Sequence, residues 1–333
     1  MECPKRCPNK TKCNKKINQC VPKTLKCSRK TDLNKITTHC DPKLSKQPHE
    51  YASDDKKFIM LCKKHIMVPS LDNVIQTSWL NSKDCNIFMI GEKHYPHEKC
   101  TAILDMFKSL IRENVMGGSP VNFDIMIEYL QKNAVPDKTY LKEDSEIKLY
   151  GDEIQLNNLR RFFVKCIKFK NCFMRVHWTD PSQADKLTDW LNEMSYEAIE
   201  NNGLFKDNWI KNPKIKKHIK KESDISKLIT ENKIVVKEIN KATKVNPNFT
   251  LKFVTDLFVK LFNNRKREIG LPWKYLVTLQ SRRVMDFYTA ARIIKSKMKH
   301  VIFYAGNNHT ETVIKILTEL NFKLIDKING TCI

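Results

Sequence analysis

Two histidines in this chain follow glycines that close apolar runs. Gly91-Glu92-Lys93-His94 comes directly after Asn86-Ile87-Phe88-Met89-Ile90, and Gly306-Asn307-Asn308-His309 directly after His300-Val301-Ile302-Phe303-Tyr304-Ala305. A third run, Phe123-Asp124-Ile125-Met126-Ile127, ends in Glu128. A fourth, Phe173-Met174-Arg175-Val176-His177-Trp178, carries Arg175 and His177 and has Asp180 just beyond it. Two imidazoles with two or three carboxylates suit either a divalent-metal site or metal-free acid–base chemistry. Each residue also has a plain structural use. Glu128 can cap a helix or pair with Arg175, and Asp180 before Pro181 is an ordinary turn opener and N-cap. His97 reads as the start of a helix. His177 alternates with Arg175 on one strand face, and the spacing does not choose between them.

For these groups to meet, the apolar runs must be neighbouring strands. The runs at 86–90, 123–128, 173–178 and 300–305 are short and apolar, as strands buried on both faces are. Between them lie stretches with helical spacing, over 97–114, 183–200, 205–245, 249–263 and 275–298, and from about Thr310. A last strand is expected at 322–328. Strand–helix alternation predicts an α/β domain over residues 51–333. It has a mixed, mostly parallel sheet flanked by helices, and a helical insertion at about 205–280. In open α/β sheets ligands bind outside the carboxyl ends of the strands, where the two glycine turns place their histidines.

Composition narrows the function classes. Eight glycines occur in 333 residues, against about 23 at average usage. Neither the G-x-G-x-x-G dinucleotide fingerprint nor a G-x-x-x-x-G-K-[ST] phosphate loop is present. At 41% hydrophobic and 29% charged residues the chain is globular. No apolar run reaches the length of a membrane helix, and the amino terminus lacks a signal-peptide apolar region. A protein that is not secreted, in the cytoplasm or in something assembled there, is the expectation.

The ordered set Gly91-Glu92-Lys93-His94, Glu128 after a strand, Arg175 to Asp180, and Gly306 to His309 resembles the TraB/TIKI and erythromycin-esterase/ChaN-like superfamily. The likeness spans about residues 84–328. It implies a site of Glu92, His94, Glu128 and His309, supported by Arg175 and Asp180, in a metal-dependent peptidase or an esterase-like hydrolase. In the metal version His94 and His309 hold one divalent cation such as Mn, Co or Zn, together with Glu128 or Glu92. In the other version one histidine is a general base toward water. Arg175 would hold an anionic group or a developing oxyanion, and Asp180 would orient an imidazole.

Residues 1–50 differ from the rest. They hold 13 Lys/Arg, 4 Asp/Glu, six cysteines and no aromatic residue. Such a basic, Cys-rich arm cannot bury enough apolar area to order itself unless it is cross-linked or bound. No C-x-x-C pair occurs, so disulfides or free thiols are favoured over zinc. Cys7-Pro8 through Asn14-Lys15-Lys16 to Cys20-Val21 resembles a short basic module of large nucleocytoplasmic DNA viruses (mimivirus-like). That likeness implies a virion or viral-factory location. The net charge of +23 attracts polyanions such as DNA, or acidic virion proteins. The basic segments are residues 5–30, 214–221 and 265–267. The alternative to a hydrolase is therefore a non-catalytic basic virion component, held electrostatically to nucleic acid or to other virion proteins.

Overall fold

The computed structural model describes residues 11–14, 19–22, 55–83, 85–93, 102–116, 120–130, 159, 162–163, 173–181, 222–269, 283–296 and 298–331. In the basic arm, β1 (Thr11–Asn14) and β2 (Gln19–Pro22) pair antiparallel in a register that sets Cys13 opposite Cys20. The helix expected over 183–200, the 214–221 lysine run, His94 and His97 lie outside the described residues.

The body begins with α1 (Asp55–His65), β3 (Val74–Ser82), β4 (Cys85–Glu92), α2 (Ile103–Met116), β5 (Phe123–Leu130) and β6 (Met174–Asp180). A 3-10 turn at Glu222–Ser226 leads into α3 (Lys227–Thr230), α4 (Lys233–Thr243) and α5 (Leu251–Ile269). Then come α6 (Val284–Ile294), β7 (His300–Gly306), α7 (Asn307–Thr318) and β8 (Lys323–Asn329). The strands form one sheet in the order β6-β5-β7-β4-β3-β8. Within it β6, β5, β7 and β4 run parallel, and β3 is antiparallel to both β4 and β8. This is the expected α/β class. It has a physical cause in β4 and β7, whose side chains are buried along almost their whole length because helices cover both faces.

Two apolar layers flank the sheet. On one face α1 and α2 pack Phe58, Phe107 and Ile111 against Phe88, Phe123, Ile125 and Tyr304. On the other, α3 to α7 pack Ile229, Ile239, Phe258, Phe287 and Ile316 against Met89, Met126, Val301 and Phe303. The helical segment expected as an insertion thus supplies most of one layer of the core. Asn232 caps α4, accepting the Val235 N–H at 3.1 Å. Helix α6 is buried over ten of its eleven residues, Arg292 being the exception. No described helix is long and apolar enough to cross a membrane.

Strand β3 was not expected from the sequence. Gln76, Thr77 and Ser78 are buried polar residues in its middle, and they mask the alternation that marks a strand.

Candidate active site

Because β4, β7, β5 and β6 are parallel, their carboxyl ends share one edge of the sheet. Gly306 ends β7 and is the N-cap position of α7, so the chain turns from strand to helix with no intervening loop. The turn puts His309 in the first turn of α7, above the end of β5. There its Nε2 lies 3.4 Å from Glu128 Oε1. The other Glu128 oxygen accepts the Gly306 N–H at 2.6 Å, which ties the strand end to the carboxylate. On the opposite side of the ring, Nδ1 meets Asp286 Oδ1 at 2.5 Å. Asp286 is fully buried in the first turn of α6 and also faces Arg283 Nη1 at 3.4 Å. Arg283 in turn donates to the Asn308 carbonyl at 2.5 Å and to the Thr312 hydroxyl, so α6 holds the start of α7 in place.

A cation in the first turn of a helix opposes the helix dipole, and this one is also largely buried. Burial would push the His309 imidazole down, but the charges of Glu128 and Asp286 overcome it and raise it to about 9. At neutral pH the ring is therefore an imidazolium between two carboxylates. Its contacts are unequal. The 2.5 Å bond to Asp286 fixes the ring, whereas 3.4 Å to Glu128 exceeds a normal hydrogen bond. That sets an acid and a base side by side at the strand ends without a full hydrogen bond between them.

Gly91 packs directly beside this turn. A Cβ there would stand 2.6 Å from Thr310 Oγ1 and 3.1 Å from the Asn307 Cα, both in α7. The glycine is therefore needed for close approach between β4 and the helix that carries His309.

Of the expected residues, Glu128 and His309 are brought together. Glu92 is not. It lies next to Gly91, on the sheet face carrying Phe88 and Ile90, and it accepts a hydrogen bond from the Tyr304 hydroxyl. Glu128 continues the opposite face, that of Asp124 and Met126. Asp180 ends β6, and the carboxylate that orients the imidazole is instead Asp286.

Arg175 is a clear correction. It stands at the start of β6 beside the start of β5, and makes a bidentate pair with Asp124 at 2.6 and 2.7 Å. Asp124 and Glu128 are four residues apart on one strand, about 13 Å. Arg175 thus belongs to the amino end of the sheet, far from the His309 turn. His177 lies on the same face as Arg175, with Nε2 3.3 Å from Asp124 and Nδ1 2.6 Å from Arg292 Nη2. Ser296 completes the shell at 2.5 Å. Burial would raise the Asp124 carboxyl, yet His177, Arg175 and Ser296 hold it down to about 2.

Of the expected cation ligands, His94 lies outside the described residues. Of the other two, His309 turns Nδ1 to Asp286 and Nε2 toward Glu128. Among the described residues no three His, Cys, Asp or Glu side chains form a metal-holding group.

Sequence reasoning missed Asp286. The visible signal was a lone carboxylate inside Val284-Met285-Asp286-Phe287-Tyr288, a run otherwise suited to the core. No protein-family model, no curated protein and no solved structure matches the chain.

Proposed function

We propose that the protein is a hydrolase-like α/β enzyme whose acid–base pair is His309 and Glu128, with Asp286 as the group that orients the imidazole. The observation that carries this reading is the placement of one imidazole between two carboxylates at the carboxyl end of parallel strands. It is fixed on one side and loosely held on the other. This is the arrangement an orienting acid and a working histidine need. The TraB/TIKI and ChaN-like resemblance supports the same edge of the sheet as the site, and a viral source belongs to that part of the proposal.

In this mechanism the Glu128 carboxylate takes a proton from a water bound beside the pair. The water oxygen attacks the carbonyl carbon of an ester or amide. His309, already an imidazolium at neutral pH, gives its Nε2 proton to the departing oxygen or nitrogen. Glu128 then returns its proton to the ring, and Asp286 keeps Nδ1 protonated throughout. No step passes through a metal.

The test is turnover of a panel of chromogenic esters and amides by wild type, His309→Gln and Glu128→Gln, with far-UV circular dichroism to check folding. General acid–base catalysis is worth about 10²- to 10⁴-fold. Both variants should lose at least the lower figure while remaining folded. Hydrolysis that survives both substitutions would overturn the assignment.

A further inference from the structure

Helix α4 carries Lys233, Lys237 and Lys241 along its exposed side, and its C-cap residue Lys244 continues the row. At 3.6 residues per turn the first, second and fourth of these fall within about 40° of one another, along about 16 Å of helix axis. They line a shallow groove with Asn240 and Val236. Some lysines of this layer are neutralised: Lys227 by Asp224, Lys252 by Asp256 and Lys260 by Glu319. Lys241 itself reaches Glu238 at 2.7 Å. Lys233, Lys237 and Lys244 have no acidic partner among the described residues, so three like charges stand in a row.

We propose that this lysine row is a docking surface for the phosphate backbone of duplex DNA, distinct from the His309 site. A straight row suits a linear polyanion. The duplex carries one charge per about 1.7 Å of axis, so a contact along the row faces several phosphates at once. An anionic membrane fits less well. A helix that binds lipid offers its apolar face to the bilayer, and the apolar face of α4 (Val235, Ile239 and Ala242) is buried in the core. Lysine side chains and an asparagine amide give backbone contacts without base readout, so the binding is independent of sequence.

The experiment uses the full chain and a short fluorescein-labelled DNA duplex, followed by fluorescence anisotropy across a salt series. The triple variant Lys233→Gln/Lys237→Gln/Lys244→Gln is compared with Lys315→Gln/Lys323→Gln/Lys327→Gln. The second removes the same charge from exposed positions on α7 and β8. Three lost phosphate contacts should lower the slope of log K against log salt by roughly 2.7 and weaken binding about tenfold or more near physiological salt. The second triple should leave the slope within about one contact of wild type. Equal losses in the two triples, or an unchanged slope in the first, would overturn the proposal. So would a first triple that loses phosphatidylserine vesicles and keeps DNA.

Discussion

Replacing His309 with glutamine should change how stability depends on pH more than it changes stability at any single pH. The imidazole ordinarily titrates near 6.5. In the fold, burial pulls it down while Glu128 and Asp286 push it up, and the charges win at about 9. A group raised in this way stabilises the fold fully below about pH 6.5. The stabilisation is lost as pH rises through 9. At about 1.4 kcal/mol per pH unit, that interval amounts to about 3 kcal/mol. The assay is urea unfolding of wild type and His309→Gln at a series of pH values, followed by tryptophan fluorescence. The difference between the two curves removes the titration of every other group. Wild type should gain about 3 kcal/mol on the variant in going from about pH 9.5 down to about pH 6. Asp286→Asn, which leaves Glu128 and Arg283 as the charged neighbours, should move the window toward 6.5. Curves that stay parallel within about 0.5 kcal/mol would refute the reasoning, since an uncharged His309 would mean that the two carboxylates do not act on it as the geometry implies.

Four more outcomes follow from the same architecture. Asp124 is held near 2 from an ordinary 3.8, so its share of stability, about 2 kcal/mol, is present above pH 3.8 and lost as pH falls through 2; acid titration of Asp124→Asn should lack that loss. Arg175→Met should destabilise the fold by about 1–3 kcal/mol while leaving turnover per folded molecule unchanged, read by urea unfolding beside the chromogenic assay. Gly91→Ala should cost about 1–3 kcal/mol by overpacking against Asn307 and Thr310, and should lower turnover because α7 carries His309. Asn232→Ala removes the cap of α4 and should cost about 1 kcal/mol, seen as a lower midpoint of thermal unfolding.

The apolar runs 86–90, 123–128, 173–178 and 300–305 were legible as strands because parallel strands covered on both faces need no alternation to be recognised. The Gly306 turn and its histidine were legible for a related reason. A glycine between an apolar run and a helix start marks a sharp reversal, and the observed turn has no loop at all. Strand β3 escaped because its buried Gln76, Thr77 and Ser78 look like surface residues in a string of letters. Spacing also could not say which end of a strand Arg175 occupies relative to the site. It could not say on which face Glu92 falls either, since one residue separates the two faces of a strand. Asp286 was beyond local pattern, because it reaches His309 from a different helix.

Strand β5 shows why the candidate site sits at one end of the sheet and not the other. Asp124 and Glu128 are both carboxylates on the same face, and α6 runs past both, with Asp286 in its first turn, Arg292 in its last and Ser296 just past its end. At the Asp124 end the carboxylate is closed in. Arg175 clamps the carboxylate through two bonds, His177 and Ser296 fill its remaining positions, and Arg292 passes the charge on to Glu238 at 3.7 Å. A carboxylate with all its partners in place within the protein has nothing left to offer a substrate. At the Glu128 end one oxygen is satisfied by the Gly306 N–H, and the other faces an imidazolium across a distance too long for a full hydrogen bond. The difference arises from strand direction. Parallel strands leave their carboxyl ends where each chain turns into a helix, and a strand-to-helix turn supplies both a free backbone N–H and a side chain on the first helical turn. The amino ends supply neither, so the charges gathered there can only neutralise one another. The incomplete pairing at His309 is therefore a product of the topology, and it is the place where a reacting water and a carbonyl group find both a base and an acid.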